Sequence, residues 1–137
     1  MTTKKISIIL VVGIFVGAAA ALSWADVRQL PLMPTPAHPE ADGKAVLSAR
    51  NIDISASGLK PNSVYTVWFV NMKPQKHESG AGAPPYMFTT DDRGAGVYSA
   101  ALPESPVGRW EMIMIVLHPT GDPKDMKTMV GALKAKI

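Results

Sequence analysis

The sequence predicts an all-β fold, an antiparallel β-sandwich of about seven strands in one domain. Short apolar or alternating segments recur along residues 43–137, with glycine and proline between them, as the strands and turns of a sandwich do. No stretch of that region repeats apolar residues at helical spacing over three turns. Residues 58–65 also have the composition of a turn that is found in sandwich domains.

Residues 1–25 have the three parts of a secretory signal peptide. Lys4 and Lys5 precede an apolar run over residues 6–22, and residues 23–25 (Ser-Trp-Ala) place small side chains at a cleavage site before Asp26. We therefore expect a periplasmic or extracellular protein. The alternative is an uncleaved membrane anchor, since an apolar run of roughly 20 residues can span a bilayer.

Residues 26–42 are predicted to form a proline-rich arm. Prolines recur there every two or three residues and favour an extended, polyproline-like backbone over a helix; they are Pro31, Pro34, Pro36 and Pro39. Leucine and methionine side chains lie between them. We expect these apolar residues to place the arm against the domain of residues 43–137.

Seven strands are predicted within that domain. Residues 51–56 alternate between apolar and polar side chains, which is typical of a strand with one buried face. Residues 91–94 (Asp-Asp-Arg-Gly) predict a tight turn that joins two strands as a hairpin. The seven predicted strands are residues 45–49, 51–56, 64–72, 86–90, 96–102, 110–117 and 128–136.

One local motif specifies the type of sandwich. Leu59, Pro61 and Tyr65 follow Gly58 at the spacing of a tyrosine corner. In immunoglobulin-like and fibronectin type III domains the leucine of this motif enters the core, and the tyrosine hydroxyl bonds back to the turn. The motif predicts such a fold and says nothing about function, because sandwiches host many functions.

Four segments resemble the extracytoplasmic domain of the anti-sigma-K factor (RskA-like) family. They are residues 65–68 (Tyr-Thr-Val-Trp), 88–91 (Phe-Thr-Thr-Asp) with Gly94, 113–121 (Ile-Met-Ile-Val-Leu-His-Pro-Thr-Gly) and 129–131 (Met-Val-Gly). The resemblance implies a β-sandwich outside the cytoplasm. That family holds a sigma factor with a cytoplasmic segment, whereas only five residues precede the apolar run here. We therefore expect the regulatory function not to carry over.

Composition argues against several classes of function. The chain has no cysteine, so it forms no disulfide, thiolate metal site or covalently attached c-type haem. No run of lysine or arginine suggests a nucleic-acid site. Neither Gly-x-Ser-x-Gly, His-Glu-x-x-His nor a phosphate-binding glycine loop occurs. We therefore predict a protein that is not an enzyme, has no cofactor, and contacts a membrane only if the signal segment stays attached.

Two predicted strands are apolar on both faces, whereas a sandwich strand commonly buries only one. The second face needs a cover: the arm, the loop of residues 73–85, another exported protein or a second copy of this chain. We predict that this face binds a protein partner through Trp68, Val70, Trp110, Met112 and Met114. The predicted function is a non-enzymatic binding or structural module of the bacterial cell envelope, an accessory subunit of an exported assembly.

Two alternatives remain open from the sequence. Periplasmic copper handling is the first, since thioether and imidazole ligands suit Cu(I) and the chain has 8 methionines. The candidate copper ligands are Met72, His77 and His118. The second alternative is a sandwich that binds a small ligand or a carbohydrate, with Trp68 or Trp110 as a stacking platform.

Overall fold

The computed structural model describes residues 27–137, and the predicted signal peptide lies outside them. The described chain is all-β, as predicted, and its strands are β1 Arg28–Pro34, β2 Asp42–Leu47, β3 Asn51–Ser57, β4 Val64–Asn71, β5 His77–Gly80, β6 Met87–Thr89, β7 Gly96–Ala101, β8 Met112–His118 and β9 Val130–Lys136. No helix long and apolar enough to cross a membrane occurs in residues 27–137. Seven strands overlap the predicted segments, and β1 and β5 are additional.

The strands form two antiparallel layers that share β1. Sheet A has the order β1-β2-β3-β7. Sheet B begins with β5 and β6, which pair with successive parts of β4, and continues through β8 and β9 to the end of β1. The two sheets therefore form one curled sandwich around a common core.

The proline-rich arm of residues 26–42 contains strand β1, Arg28–Pro34. Residues 28–32 pair with β2, and residues 33–34 pair with β9. Proline cannot donate to a strand ladder and is tolerated at sheet edges. Among the described residues, each half of β1 has a strand partner on one side only, which explains why Pro31 and Pro34 fit there. Leu32 is 1% exposed and belongs to the core, so the arm is part of the sandwich from Arg28 onward.

The core lies between the two sheets. In β3, buried and exposed residues alternate strictly, so Ile52 and Ile54 face inward while Asp53 faces solvent. Burying each such aliphatic side chain stabilises the fold by about 1.5–3 kcal/mol. Sheet B contributes the inward side chains of β4 and β8, which are Tyr65, Val67, Phe69, Ile113, Ile115 and Leu117.

The turn into β4 is a tyrosine corner. Leu59 packs in the core, and Tyr65 is fully buried. The hydroxyl oxygen of Tyr65 accepts a hydrogen bond from the backbone N–H of Lys60 at 2.9 Å, the back-bond that characterises this motif. Burial raises the pKa of the Tyr65 hydroxyl because the phenolate form would lose hydration. This contact fixes the point at which the chain enters sheet B.

Residues 73–86 close one side of the sandwich. β5 pairs with β4, and the Ala81 N–H then donates to the Val67 carbonyl at 3.0 Å. The Val67 N–H in turn donates to the carbonyl of Tyr86 at 3.0 Å. From sheet A, the hydroxyl of Tyr98 donates to the carbonyl of Ala81. The predicted loop is therefore a wall that is bonded to both sheets.

Candidate functional site

The outer surface of sheet B carries a row of directly paired residues. Trp68 on β4 lies opposite Met114 on β8, Met114 lies opposite Lys134 on β9, and Lys134 lies opposite Met33 on β1. Residues that are directly opposite each other share one face of a sheet. The inward faces of β4 and β8 hold the core, so this row points outward.

A second row runs parallel to the first. Val70 on β4 lies opposite Met112 on β8, and Met112 lies opposite Lys136 on β9. The two rows together make the outer surface strongly apolar at its centre. We call this surface the methionine face and define it by Met33, Trp68, Val70, Met112 and Met114.

Exposure varies across the methionine face. Val70 is 2% exposed and lies outside the core cluster, so its outer-face neighbours cover it. Trp68, Met112 and Met114 are half-buried, whereas Met33 is 57% exposed. The accessible part is a groove between β1 and β9, lined by Pro31, Met33, Met112, Lys134, Ala135 and Lys136. Its floor is apolar, and methionine can adapt its shape to a ligand.

The charge of this groove is positive. Lys134 and Lys136 are exposed along its rim. Within residues 27–137, neither lysine forms an ion pair with a carboxylate. The groove therefore combines an apolar floor with two ammonium groups that are free to meet negative charge.

Tyr86 covers the other side of the face. Its ring centroid lies 5.4 Å from that of Trp68. The ring also lies on the backbone of Gly80, where a Cβ atom would come within 2.2 Å of it. The end of the loop of residues 73–85 thus shields Trp68, and it leaves the groove beside Met33 open.

A buried hydrogen-bond chain anchors the face at its far end. Trp68 Nε1–H donates to Thr66 Oγ1 at 2.7 Å, and Thr66 Oγ1 lies 2.7 Å from His118 Nε2. His118 Nδ1 lies 3.0 Å from the carbonyl oxygen of Asp125. A carbonyl only accepts, so Nδ1 carries the proton and Nε2 accepts from the Thr66 hydroxyl. Every polar atom of this chain is then paired.

The loop of residues 119–129 is held by the side chain of Asp125. This carboxylate accepts hydrogen bonds from the Thr128 hydroxyl at 2.8 Å, the Lys127 N–H at 3.0 Å and the Thr120 hydroxyl at 3.2 Å. These bonds, that of Thr128 foremost, hold the pKa of Asp125 below its ordinary value. The ordered loop presents its Asp125 carbonyl to His118 and so completes the buried chain.

Trp110 does not lie on the methionine face. β8 begins only at Met112, and the Trp110 N–H donates to the Pro106 carbonyl within a preceding turn at 3.0 Å. The indole ring stacks on the core residue Phe69, with centroids 6.3 Å apart. The strand alternation that placed Trp110 beside Met112 does not extend back through this turn. Trp68, Val70, Met112 and Met114 are the predicted residues that the structure brings together.

The three candidate copper ligands do not converge. His77 lies opposite Asn71 at one end of β4, and His118 lies opposite Val64 at the other. Seven residues of strand separate these positions, roughly 23 Å at 3.3 Å per residue. His118 is 1% exposed, with both ring nitrogens engaged, whereas Met72 is 49% exposed.

Sequence reasoning missed three contributors to the site. The sequence places Met33 in the proline-rich arm of residues 26–42, and Lys134 and Lys136 in the predicted strand of residues 128–136. Their alternation along β9 is a usable signal, because the exposed Lys134 and Lys136 alternate with the buried Leu133 and Ala135. Placing Met33 required the pairing of β1 with β9, which no local pattern encodes.

Comparison of the chain with protein-family models, with curated proteins and with solved structures finds no match. The resemblance to the anti-sigma-K factor family thus stays a prediction from sequence.

Proposed function

We propose that this protein is a non-enzymatic, exported binding module that docks an acidic, apolar segment of another exported protein on its methionine face. The observation that carries the proposal is the groove between β1 and β9. Its floor is formed by Met33 and Met112, and its rim by Lys134 and Lys136. Export itself rests on the predicted signal peptide.

Burial of the apolar floor of the groove would favour the binding of a partner. Burying an exposed methionine removes apolar surface from water, at about 25 cal/mol per Å². Methionine side chains are enriched in protein interfaces, and the half-buried Trp68 lies beside the groove on the same face of sheet B. The hydrogen bond from Trp68 to Thr66 and its contact with Tyr86 hold the indole in place. Little side-chain freedom is then lost there when a partner docks.

The lysine rim supports a partner with negative charge. Lys134 and Lys136 are solvated and lack carboxylate partners within the described residues. An acidic segment would gain from both charges, in its rate of association and in its orientation. Two copies of this chain that meet symmetrically through the groove would instead bring like charges together. The charge pattern therefore favours a different protein over a second copy.

Site-specific photo-crosslinking tests this proposal. A photoreactive side chain replaces Met33 in cells that naturally export the protein, and cross-linked products are identified by mass spectrometry. The matched control position is Val97, which is 75% exposed on β7 of sheet A. We expect position 33 to cross-link an exported protein through an acidic, apolar segment, and position 97 not to do so.

Two results would overturn the proposal. Cross-links from position 33 to a second copy of this chain would show that the face is a homodimer interface. Identical products from positions 33 and 97 would show that the contacts are nonspecific.

A further inference from the structure

A second concave site lies at the side of the sandwich, where the loop of residues 102–111 meets residues 73–86, the wall that is bonded to both sheets. Its main lining side chains are Phe69, Ser79, Tyr86, Glu104, Arg109 and Trp110. We call it the aromatic cleft. The docking function proposed above does not use it.

Three aromatic side chains line the aromatic cleft, and two of them, Trp110 and Tyr86, are each supported by a neighbouring residue. Trp110 stacks on Phe69 at an interplanar angle of 20°, and Phe69 is 5% exposed. Tyr86 rests on Gly80 and has a φ of 63°, a left-handed conformation that is uncommon for residues other than glycine. The bonds of the wall to both sheets hold Tyr86 in that conformation. The cleft thus presents aromatic surface at fixed positions.

A solvated ion pair borders these rings. Arg109 Nη1 lies 2.9 Å from Glu104 Oε1, and the two side chains are 59% and 57% exposed. An exposed ion pair adds little to stability, so its hydrogen-bonding groups remain available to a ligand. The Arg109 guanidinium and the Glu104 carboxylate together have no net charge, and they supply both hydrogen-bond donors and acceptors. The pair thus favours a polar ligand without net charge.

The loop that carries Trp110 and Arg109 is fixed to β4 by Asn71. The amide nitrogen of Asn71 donates to the Arg109 carbonyl at 2.9 Å, and its amide oxygen accepts from the Glu111 N–H at 2.7 Å. The backbone N–H groups of Arg109 and Trp110 both donate to the Pro106 carbonyl. These bonds preorganise the cleft, which reduces the entropy lost on binding.

From this arrangement we infer that the aromatic cleft binds one ring of a neutral saccharide. A pyranose has apolar C–H faces that suit Trp110 and Tyr86, and hydroxyl groups at its rim that suit Arg109, Glu104 and Ser79. The cleft volume is about 180 Å³, below the roughly 300–1,000 Å³ of pockets that enclose a drug-sized ligand. A single ring of a longer chain would therefore enter while its neighbours stay in solvent.

Titration of the ¹⁵N-labelled protein with cellohexaose, maltohexaose and chitohexaose, followed by amide NMR, tests this inference. We expect at least one of them to shift the amides of residues 79–86 and 104–111 in a saturable manner. The variants Arg109→Gln and Glu104→Gln should each weaken that binding at least tenfold. Both side chains are exposed, so these variants should keep the wild-type spectrum elsewhere.

Arg93→Gln is the matched control, since Arg93 is an exposed arginine on the turn before β7, away from the cleft. It should leave saccharide binding unchanged. Three outcomes would overturn the inference: no saturable shift with any of the three saccharides, shifts that map outside the cleft, or equal affinities for wild type and Arg109→Gln. Binding of a proline-rich or aromatic peptide in the cleft, with no response to saccharides, would assign it to a different ligand class.

Discussion

Thr66 Oγ1 and His118 Nε2 lie 2.7 Å apart on neighbouring strands of sheet B, and neither residue is more than 1% exposed. Through this contact Trp68 on the methionine face is linked to Asp125 in the loop of residues 119–129. A buried polar group needs a partner because burying it unpaired costs free energy. The contact thus stabilises this end of the methionine face and orients the indole of Trp68.

Replacing Thr66 by valine should destabilise the protein by about 1–3 kcal/mol. Valine keeps the shape of threonine and removes the hydroxyl, which leaves Trp68 Nε1–H and His118 Nε2 without partners. Thr66→Ser is the control because it keeps the hydroxyl. Chemical unfolding of both variants measures the effect. Equal unfolding free energies for the two would contradict the assigned hydrogen-bond chain.

Two glycines with the same backbone conformation should respond differently to alanine. Gly94 and Gly108 both have a φ of 80°. A Cβ on Gly94 would lie 2.0 Å from the Leu59 carbonyl oxygen, whereas a Cβ on Gly108 would meet no atom of residues 27–137 within 4 Å. Gly108→Ala should therefore cost only the backbone strain, about 1–2 kcal/mol. Gly94→Ala should cost at least about 3 kcal/mol, since the hairpin must also move away from Leu59.

Thermal and chemical unfolding of the two glycine variants provide this comparison. If both alanines cost the same, the turn before β7 does not pack against Leu59 as described. The Leu59 N–H also donates to the Gly94 carbonyl at 3.1 Å, so amide exchange at Leu59 should accelerate in Gly94→Ala alone.

Acidification should destabilise the protein through His38. Its Nε2 lies 3.1 Å from the Tyr65 hydroxyl, and its Nδ1 is buried without a hydrogen-bond partner in residues 27–137. Burial lowers the pKa of His38 below its ordinary 6.5. The unfolded chain therefore binds the proton more tightly than the folded one. The resulting stability is complete above pH 6.5 and is lost as the pH falls through the folded-state pKa.

Unfolding free energies measured on both sides of pH 6.5 test this expectation. His38→Gln should flatten the pH dependence in that range, and His77→Gln, which changes an exposed histidine on β5, should retain it.

Asp91 contributes to the pH dependence of stability at lower pH. Hydrogen bonds from the backbone N–H groups of Ala95 and Arg93 lower its pKa from 3.8, so its contribution is lost only as the pH falls below that value.

Local sequence patterns predicted the strands in which the alternation of apolar and polar side chains determines which face is buried. β3 alternates strictly and was predicted almost to its bounds, since its apolar residues can face only the core. Leu59 and Tyr65 were predicted to form a corner because their spacing alone creates that turn. The apolar outer face of β4 was also predictable. Successive side chains of a strand point to opposite faces, so Trp68 and Val70 point outward where Val67 and Phe69 point into the core.

Pairing between distant segments could not be predicted in the same way. β1 is a strand because β2 and β9 supply its hydrogen-bond partners, and its prolines alone indicate only an extended backbone. β5 (His-Glu-Ser-Gly) has little strand propensity and depends on the edge of β4. The predicted place of Trp110 on the outer face is wrong, because Trp110 belongs to the turn of residues 106–110 and the strand alternation begins only at Met112.

The charge of the methionine face provides the most direct test of the docking proposal. Once cross-linking has identified the partner segment, its affinity is measured for wild type, for Lys134→Glu/Lys136→Glu and for the control Lys124→Glu/Lys127→Glu. The control alters two exposed lysines in the loop of residues 119–129. We predict that only the first double variant weakens binding, by at least tenfold, and that lysine in place of the acidic residues of the partner restores it. Equal affinities for the two double variants would contradict docking on this face.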